Sequence, residues 1–203
     1  MIMQYYISKE KPLILASTSP RRKKLLNSAG IPFIVEQSNI SEDFSETLPE
    51  LITTKLAFKK ASAVHANRKW WTLGADTIVT YSDIILGKPC DTADAVKMLK
   101  TLSGKEHIVT TGFCIIDPSG DKVHSESVST SVYLKELSAD EIERYVATGE
   151  SFGKAGACAI QGIGAFMVEK IKGSYSNVVG LPICELIQAL IKNQAIPEYP
   201  IVL

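Results

Sequence analysis

Residues 13–26 read L-I-L-A-S-T-S-P-R-R-K-K-L-L. Leu13–Ala16 is an unbroken apolar run, short enough for a strand buried on both faces. Ser19 then offers an N-cap oxygen, and Pro20 takes the first helical position, where its missing N–H costs nothing. Leu25, Leu26 and Ala29 give the helix an apolar side, and Gly30 gives it a left-handed stop. Pro32–Val35 follows as a second strand. The charge is the anomaly. Arg21, Arg22, Lys23 and Lys24 crowd a helix start, which is already the positive end of the helix dipole. Lys23 and Lys24 suit a solvated helix face. Ser17, Thr18 and Ser19, the free backbone N–H groups and the Arg21 guanidinium instead compose an anion site. Phosphate is the anion whose geometry an arginine fork matches. The stretch lacks G-x-x-x-x-G-K-[ST] and is not a P-loop.

Outward from this start, a helix is expected from about Pro49 to Ala66, with Ile52, Leu56, Ala63 and Val64 on one face. Lys60 falls in the middle of that face. It either snorkels, stem buried and ammonium in water, or serves a ligand. Trp70–Val79 and Asp83–Leu86 form a hairpin, and Leu86-Gly87-Lys88-Pro89 closes it. A helix over Thr92–Leu102 ends at Gly104. A second hairpin pairs His107–Asp117 with Lys122–Leu134. Ser138-Ala139-Asp140-Glu141 is a capping box that opens a helix ending near Gly149. A Gly/Ala-rich loop leads to a strand at Phe166–Ile171, and a last helix begins at Pro182 with Ile183, Leu186, Ile187 and Leu190 on its apolar side. Helices mixed with hairpins predict an α/β fold of mixed α+β character, with a mixed sheet rather than a purely parallel one.

The 203 residues suit one domain, here 1–203, with a sizeable core. Acidic and basic residues balance at 22 each, which argues against nucleic-acid and membrane-surface partners. No apolar run reaches the ~20 residues of a membrane span. The N-terminus lacks the layout of a signal peptide, so the expected location is cytoplasmic. Cys90, Cys114, Cys158 and Cys184 show no C-x-x-C spacing and read as reduced, mostly buried thiols. His65, His107 and His124 lack ligand spacing and read as structural. Trp70 and Trp71 suit packing at the core and its rim.

Three further constellations carry possible chemistry. Gly74-Ala75-Asp76-Thr77 interrupts a β-run with small and polar residues. Asp76 there is either a general base or metal ligand, or the Asx turn of a strand end. Gly87-Lys88-Pro89 either aims an ammonium at phosphate or exposes a solvated lysine. In Lys154-Ala155-Gly156…Gln161-Gly162-Ile163-Gly164, close glycines would let the backbone pack against a ligand, and the Gln161 amide can donate and accept as reading a base edge requires; the alternative is a flexible surface loop. Among Glu36, Glu42 and Asp43, any one can join Asp76 on a hard cation. The rest of the acidic stretch Glu42–Glu50 reads as solvated surface.

Together these motifs resemble the Maf family of nucleoside triphosphate pyrophosphatases. The resemblance runs from Leu13 to about Ile191 and rests on L-I-L-A-S-T-S-P-R-R-K-K-L-L, L-A-F-K-K-A, G-A-D-T, L-G-K-P, K-A-G-A-C-A-I-Q-G and V-V-G-L-P in that order. It implies an elongated mixed sheet flanked by helices with a central cleft, related to the inosine triphosphate pyrophosphatases. It also implies a cytoplasmic, commonly dimeric enzyme with a divalent metal, Mg2+ or Mn2+. That enzyme would split a nucleoside triphosphate into the monophosphate and pyrophosphate.

By the same resemblance Asp76 matches the proton acceptor and a metal position, with Glu42 as the second acidic position. Arg21, Lys60 and Lys88 match the phosphate-facing cations, beside the Ser19 hydroxyl already read as part of the anion site, and Arg21, Thr77 and Gln161 are tied to base choice. Those three residues resemble the branch acting on dTTP and UTP rather than the branch preferring 7-methylguanosine triphosphate. The chain has Ser41-Glu42 where the family often has Asp-Glu, and it departs from its branch at Gly153 and Cys158, which bears on how firmly the Gln161 loop is held. A house-cleaning role on modified pyrimidine nucleotides, and a non-catalytic nucleotide-binding regulator of cell division, are the competing expectations.

Overall fold

The computed structural model describes residues 6–65 and 69–201. Its strands are β1 (Leu13–Leu15), β2 (Phe33–Val35), β3 (Thr72–Tyr81), β4 (Ile84–Leu86), β5 (Glu106–Ile116), β6 (Lys122–Leu134) and β7 (Val168–Lys172). Its α-helices are α1 (Pro20–Ser28), α2 (Pro49–His65), α3 (Thr92–Leu102), α4 (Ala139–Ala147), α5 (Tyr175–Val179) and α6 (Ile183–Lys192). One seven-stranded sheet runs β2-β1-β3-β5-β6-β7, with β4 paired to β3. β1 lies parallel to both β2 and β3, whereas the β3–β4 and β6–β7 pairs are antiparallel. The mixed sheet expected from interleaved helices and hairpins is therefore present.

The chain forms two compact units. The first takes the chain up to Asp76, then Thr111–Val128 and the part from Gly180 onward; the second takes Thr77–Thr110 and Ser129–Val179. In the first unit, Leu13, Leu15, Leu26, Leu73, Phe113, Leu186 and Leu190 build the main core. Ile14 and Ala16 pack with Val64 in a separate cluster. Alternate residues of β1 thus enter different clusters, which is why that strand reads as continuously apolar. In the second unit, Leu99 and Leu102 of α3 and Ile142, Tyr145 and Val146 of α4 pack with Val109, Val132 and Leu134.

Helix α2 carries the most informative departure. Its buried residues are Ile52, Thr53, Leu56, Ala57, Lys60, Ala61 and Val64. Ala63, expected on that face, is exposed, and Ala66 lies outside the described residues. The contact face is built of small side chains because α2 presses backbone to backbone on the sheet. A Cβ at Gly74 of β3 would stand 2.0 Å from Ala57 O, and one at Gly112 of β5 would stand 2.4 Å from Thr53 C. Only glycine permits this approach.

Other boundaries shift by small amounts. The strand expected from Phe166 starts at Val168, because Gly162–Met167 winds into a 3-10 helix. α5 carries no sequence signal, because five residues are too few to show a period. The capping box is present, with Glu141 N donating to Ser138 Oγ and Ser138 N donating to the Glu141 carboxylate. Among the described residues no helix is long and apolar enough to cross a membrane. All four thiols are free, but Cys90 and Cys184 are exposed, so the expectation of mostly buried thiols holds for Cys114 and only partly for Cys158.

Candidate active site

Pairing in the first unit brings the opening motif and the acid together. Ala16 N donates to Leu73 O at 2.8 Å, and Leu15 sits in register with Leu73 on the parallel strand β3. Both chains therefore run on in the same direction. From β1 the chain enters Ser17–Ser19 and α1; from Leu73 it reaches Asp76 three residues later. β2, on the other side of β1, runs the same way into the loop that bears Glu42. Carboxyl ends of adjacent parallel strands are where α/β folds collect ligand-binding groups.

Asp76 is not the Asx turn of a strand end: β3 continues to Tyr81. Its carboxylate is buried, and its Oδ1 accepts from Lys60 Nζ at 2.6 Å. The same ammonium donates to Glu42 Oε1 at 2.7 Å. Lys60 is 8% exposed at its side chain against 47% for Glu42, so the lysine does not snorkel; it spans from a buried acid to a solvated one. Local structure explains the reach. Gly74 lets α2 settle against β3 at Ala57 and Ala61, and Lys60, beside Ala61 on that face, then meets Asp76 two residues beyond Gly74.

Stretch Glu42–Glu50 is largely exposed, as expected of solvated surface, and three lysines fasten it to α2. Lys60 takes Glu42, Lys59 Nζ donates to Asp43 O at 3.3 Å, and Lys55 pairs with Glu46.

At α1, Ser19 acts as N-cap with its Oγ 3.5 Å from Arg22 N, and Pro20 follows as expected. Arg21 is half-buried. Arg22, one of the cations crowding the helix start, is buried. Its Nε donates to Gly180 O at 2.7 Å and its Nη1 to Ser17 Oγ at 3.1 Å. Burial pulls its pKa below the usual arginine range, and nearby Asp76 opposes that shift. Arg22 thus joins V-V-G-L-P to the opening motif. The signal was present in the sequence: Arg22, Leu25, Leu26 and Ala29 follow the i, i+3, i+4, i+7 stripe of the helix's buried side.

Thr77, Lys88 and Gln161 belong to the second unit. Thr77 is half-buried on β3, directly after Asp76. Lys88 is exposed in the turn after β4, and the preceding Gly87 O accepts from Gly156 N at 3.0 Å, tying the L-G-K-P turn to the K-A-G loop. Gln161 Nε2 donates to the Tyr175 hydroxyl at 3.1 Å.

The loop around Gln161 is tied at its glycines by a protein group, while Ile163 and Phe166 stay exposed. Glu150 accepts from Ile163 N at 3.1 Å and from Gly164 N at 2.7 Å. A Cβ on Gly162, at φ +71, would lie 2.0 Å from Glu150 Oε1. Nothing local marks Glu150, because its partners lie 13 and 14 residues downstream. Cys158 sits in the same loop, and burial, aided by the Glu150 charge, pushes its thiol up to about 12. His65 Nδ1 lies 3.0 Å from Thr72 Oγ1, His124 Nε2 lies 2.9 Å from Glu126, and His107 is buried, as suits structural histidines.

The family described as "Maf-like protein" matches residues 12–193. A protein of Geotalea uraniireducens (strain Rf4) named dTTP/UTP pyrophosphatase is 50% identical over 186 residues, 91% of this chain and 96% of that one. Another of that name from Geobacter metallireducens is 51% identical over 180 residues, 88% of this chain and 94% of that one. Among solved structures, the Ham1 protein of Staphylococcus aureus is similar with a TM-score of 0.41 and 10% identity, over 60% of this chain and 71% of that one. Matched over most of its length by the family, and half identical to proteins of nearly the same extent, the chain belongs to the Maf family.

Proposed function

We propose that this protein hydrolyses dTTP and UTP to the monophosphate and pyrophosphate. The observation that carries the reading is the junction of Asp76, Lys60 and Glu42 beside the start of α1. It sets a buried carboxylate near α1, where Asp76 and Glu42 act on the Arg22 charge, and the opening of that helix is the proposed anion site. The names of relatives at 50% and 51% identity support the choice of substrate.

In this reading a carboxylate oxygen of Asp76 takes the proton of a water as its oxygen bonds to the α-phosphorus. The bond from that phosphorus to the α,β-bridging oxygen breaks, and pyrophosphate leaves with the electron pair. Arg21, Lys60, Lys88, the Ser19 hydroxyl and the backbone N–H groups opening α1 offset the charge of the phosphates. This answers the crowding of cations at the helix start: the triphosphate removes the conflict. Arg22 holds Ser17 and Gly180 in place around that terminus. Thr77, Gln161 and Arg21 would select the base.

The donor chemistry suits a divalent cation. Asp76 and Glu42 each give a hard carboxylate oxygen to the Lys60 ammonium, at 2.6 and 2.7 Å, and would offer both oxygens to an ion once that ammonium turned to the phosphates. Among the described residues no three acidic, histidine or cysteine ligands gather. Two carboxylates completed by substrate phosphates are what Mg2+ or Mn2+ accepts. When bound, such an ion supplies neutralisation of charge on the phosphates.

The test is pyrophosphate release with Mg2+ or Mn2+, comparing dTTP, UTP, CTP, GTP and 7-methylguanosine triphosphate. Release from dTTP and UTP that falls at least ~10²-fold in Asp76→Asn supports the reading. Activity centred on 7-methylguanosine triphosphate overturns the assignment of Arg21, Thr77 and Gln161. Binding without release favours a nucleotide-binding regulator.

A further inference from the structure

Two segments of the second unit are each anchored independently, and one side-chain contact joins them. The first carries Gln161. Glu150 takes the backbone N–H groups of Ile163 and Gly164, at 3.1 and 2.7 Å, directly after Gln161-Gly162. The second is Ser174-Tyr175-Ser176-Asn177. There Asn177 Nδ2 donates to Val109 O at 3.0 Å and to Thr130 Oγ1 at 2.9 Å. Ser174 N donates to Thr130 Oγ1 at 3.1 Å, and Asn177 N donates to Ser174 Oγ at 3.3 Å. Asn177 and Thr130 are buried, so this turn is pinned to β5 and β6.

Across these anchors Gln161 Nε2 donates to the Tyr175 hydroxyl at 3.1 Å. Tyr175 is 47% exposed and Gln161 is not buried, so close packing does not force the contact. Its effect is orientational. A glutamine amide without a partner can turn either its oxygen or its nitrogen to a ligand. Here one N–H is committed to Tyr175, and Oε1 is left as the acceptor.

We propose that Tyr175 is a specificity-positioning residue: by holding the Gln161 amide nitrogen, it presents Gln161 Oε1 to accept the N3–H of uracil or thymine. This rests on the pyrimidine triphosphatase reading above. Uracil and thymine carry a hydrogen at N3, whereas cytosine carries a lone pair there. An acceptor held against that lone pair leaves both groups unpaired, and such mismatches discriminate more strongly than shape alone. Tyr175 acts through Gln161 and need not touch the base, while Glu150 keeps the loop at a fixed height for the reading.

The experiment measures kcat/KM for UTP, CTP and N3-methyluridine triphosphate in the wild type and in Tyr175→Phe. The substitution removes one hydroxyl at an exposed ring. The wild type is expected to favour UTP over both of the others. In Tyr175→Phe the value for UTP falls roughly fivefold to tenfold, as loss of one neutral hydrogen bond predicts, while the other two values hold or rise. A merely structural role for Tyr175 lowers all three alike, and that result overturns the inference. So does an unchanged ratio of UTP to CTP, or a wild type that turns over the N3-methyl analogue as well as UTP. A wild type that releases no pyrophosphate from UTP overturns the underlying reading and the inference with it, and is told apart by the wild-type assay alone.

Discussion

Lys60 Nζ and Asp76 Oδ1 stand 2.6 Å apart, with side-chain exposures of 8% and 10%. A charge pair this far from water is held by its partners, and removing one strands the other. Lys60→Met is therefore expected to cost about 3–5 kcal/mol in urea denaturation, while Glu42→Ala, on the solvated side, costs ~1 kcal/mol or less. Equal costs for the two variants would contradict the asymmetry of the junction.

Gly74 sets the height of α2 over β3. An added methyl would meet Ala57 O at 2.0 Å and Ala61 N at 2.9 Å, both backbone atoms that cannot turn aside. Gly74→Ala should lose about 3 kcal/mol of stability and should also depress activity, since lifting α2 withdraws Lys60 from Asp76. Denaturation midpoint and pyrophosphate release are measured together. A variant as stable as the wild type would mean that the helix adjusts freely.

His107 makes stability depend on pH. Burial holds its pKa down to about 4, against 6.5 for the ordinary side chain. Above the unfolded value both states are neutral, and the native state keeps its full stability. As pH falls through 6.5 toward 4, the unfolded chain binds a proton that the native one refuses, and stability drains away. The loss approaches about 3 kcal/mol near the folded value. Urea midpoints at neutral and mildly acidic pH should show this slope in the wild type, and His107→Leu should flatten it.

Thiol reactivity separates the cysteines. Burial lifts Cys114 and Cys158 to about 12 each, so both stay protonated near neutrality, whereas Cys90 and Cys184 are exposed. Titration with a disulfide reagent at mildly alkaline pH should modify Cys90 and Cys184 in the native protein, and all four in denaturant. Rapid native labelling of Cys158 would show that the Gln161 loop opens.

Local chemistry sufficed for several elements. The strand Leu13–Leu15, the Ser19 cap with Pro20 after it, helix α3 and the Ser138–Glu141 box are all written in contiguous residues whose backbone preferences agree with their neighbours'. Lys60 and Asp76 stood out in the sequence because each breaks the pattern of its element. Their union did not. It needed parallel pairing of β1 with β3 and a helix lowered onto Gly74, neither of which a one-dimensional period encodes. Arg22 was half legible, lying on the buried stripe of α1 while its acceptor, Gly180 O, lies 158 residues away in the chain. Glu150 and Tyr175 were silent. An acid after a helix and a tyrosine in a short turn carry no periodic mark, and only the tertiary fold gave them Gly164 N and the Gln161 amide as partners. Sequence alone determined which residues break the apolar pattern, because patterning is a property of neighbours. Tertiary structure alone decided which of those residues meet, because hydrogen bonds and ion pairs act over a few ångströms of space, whatever their separation along the chain.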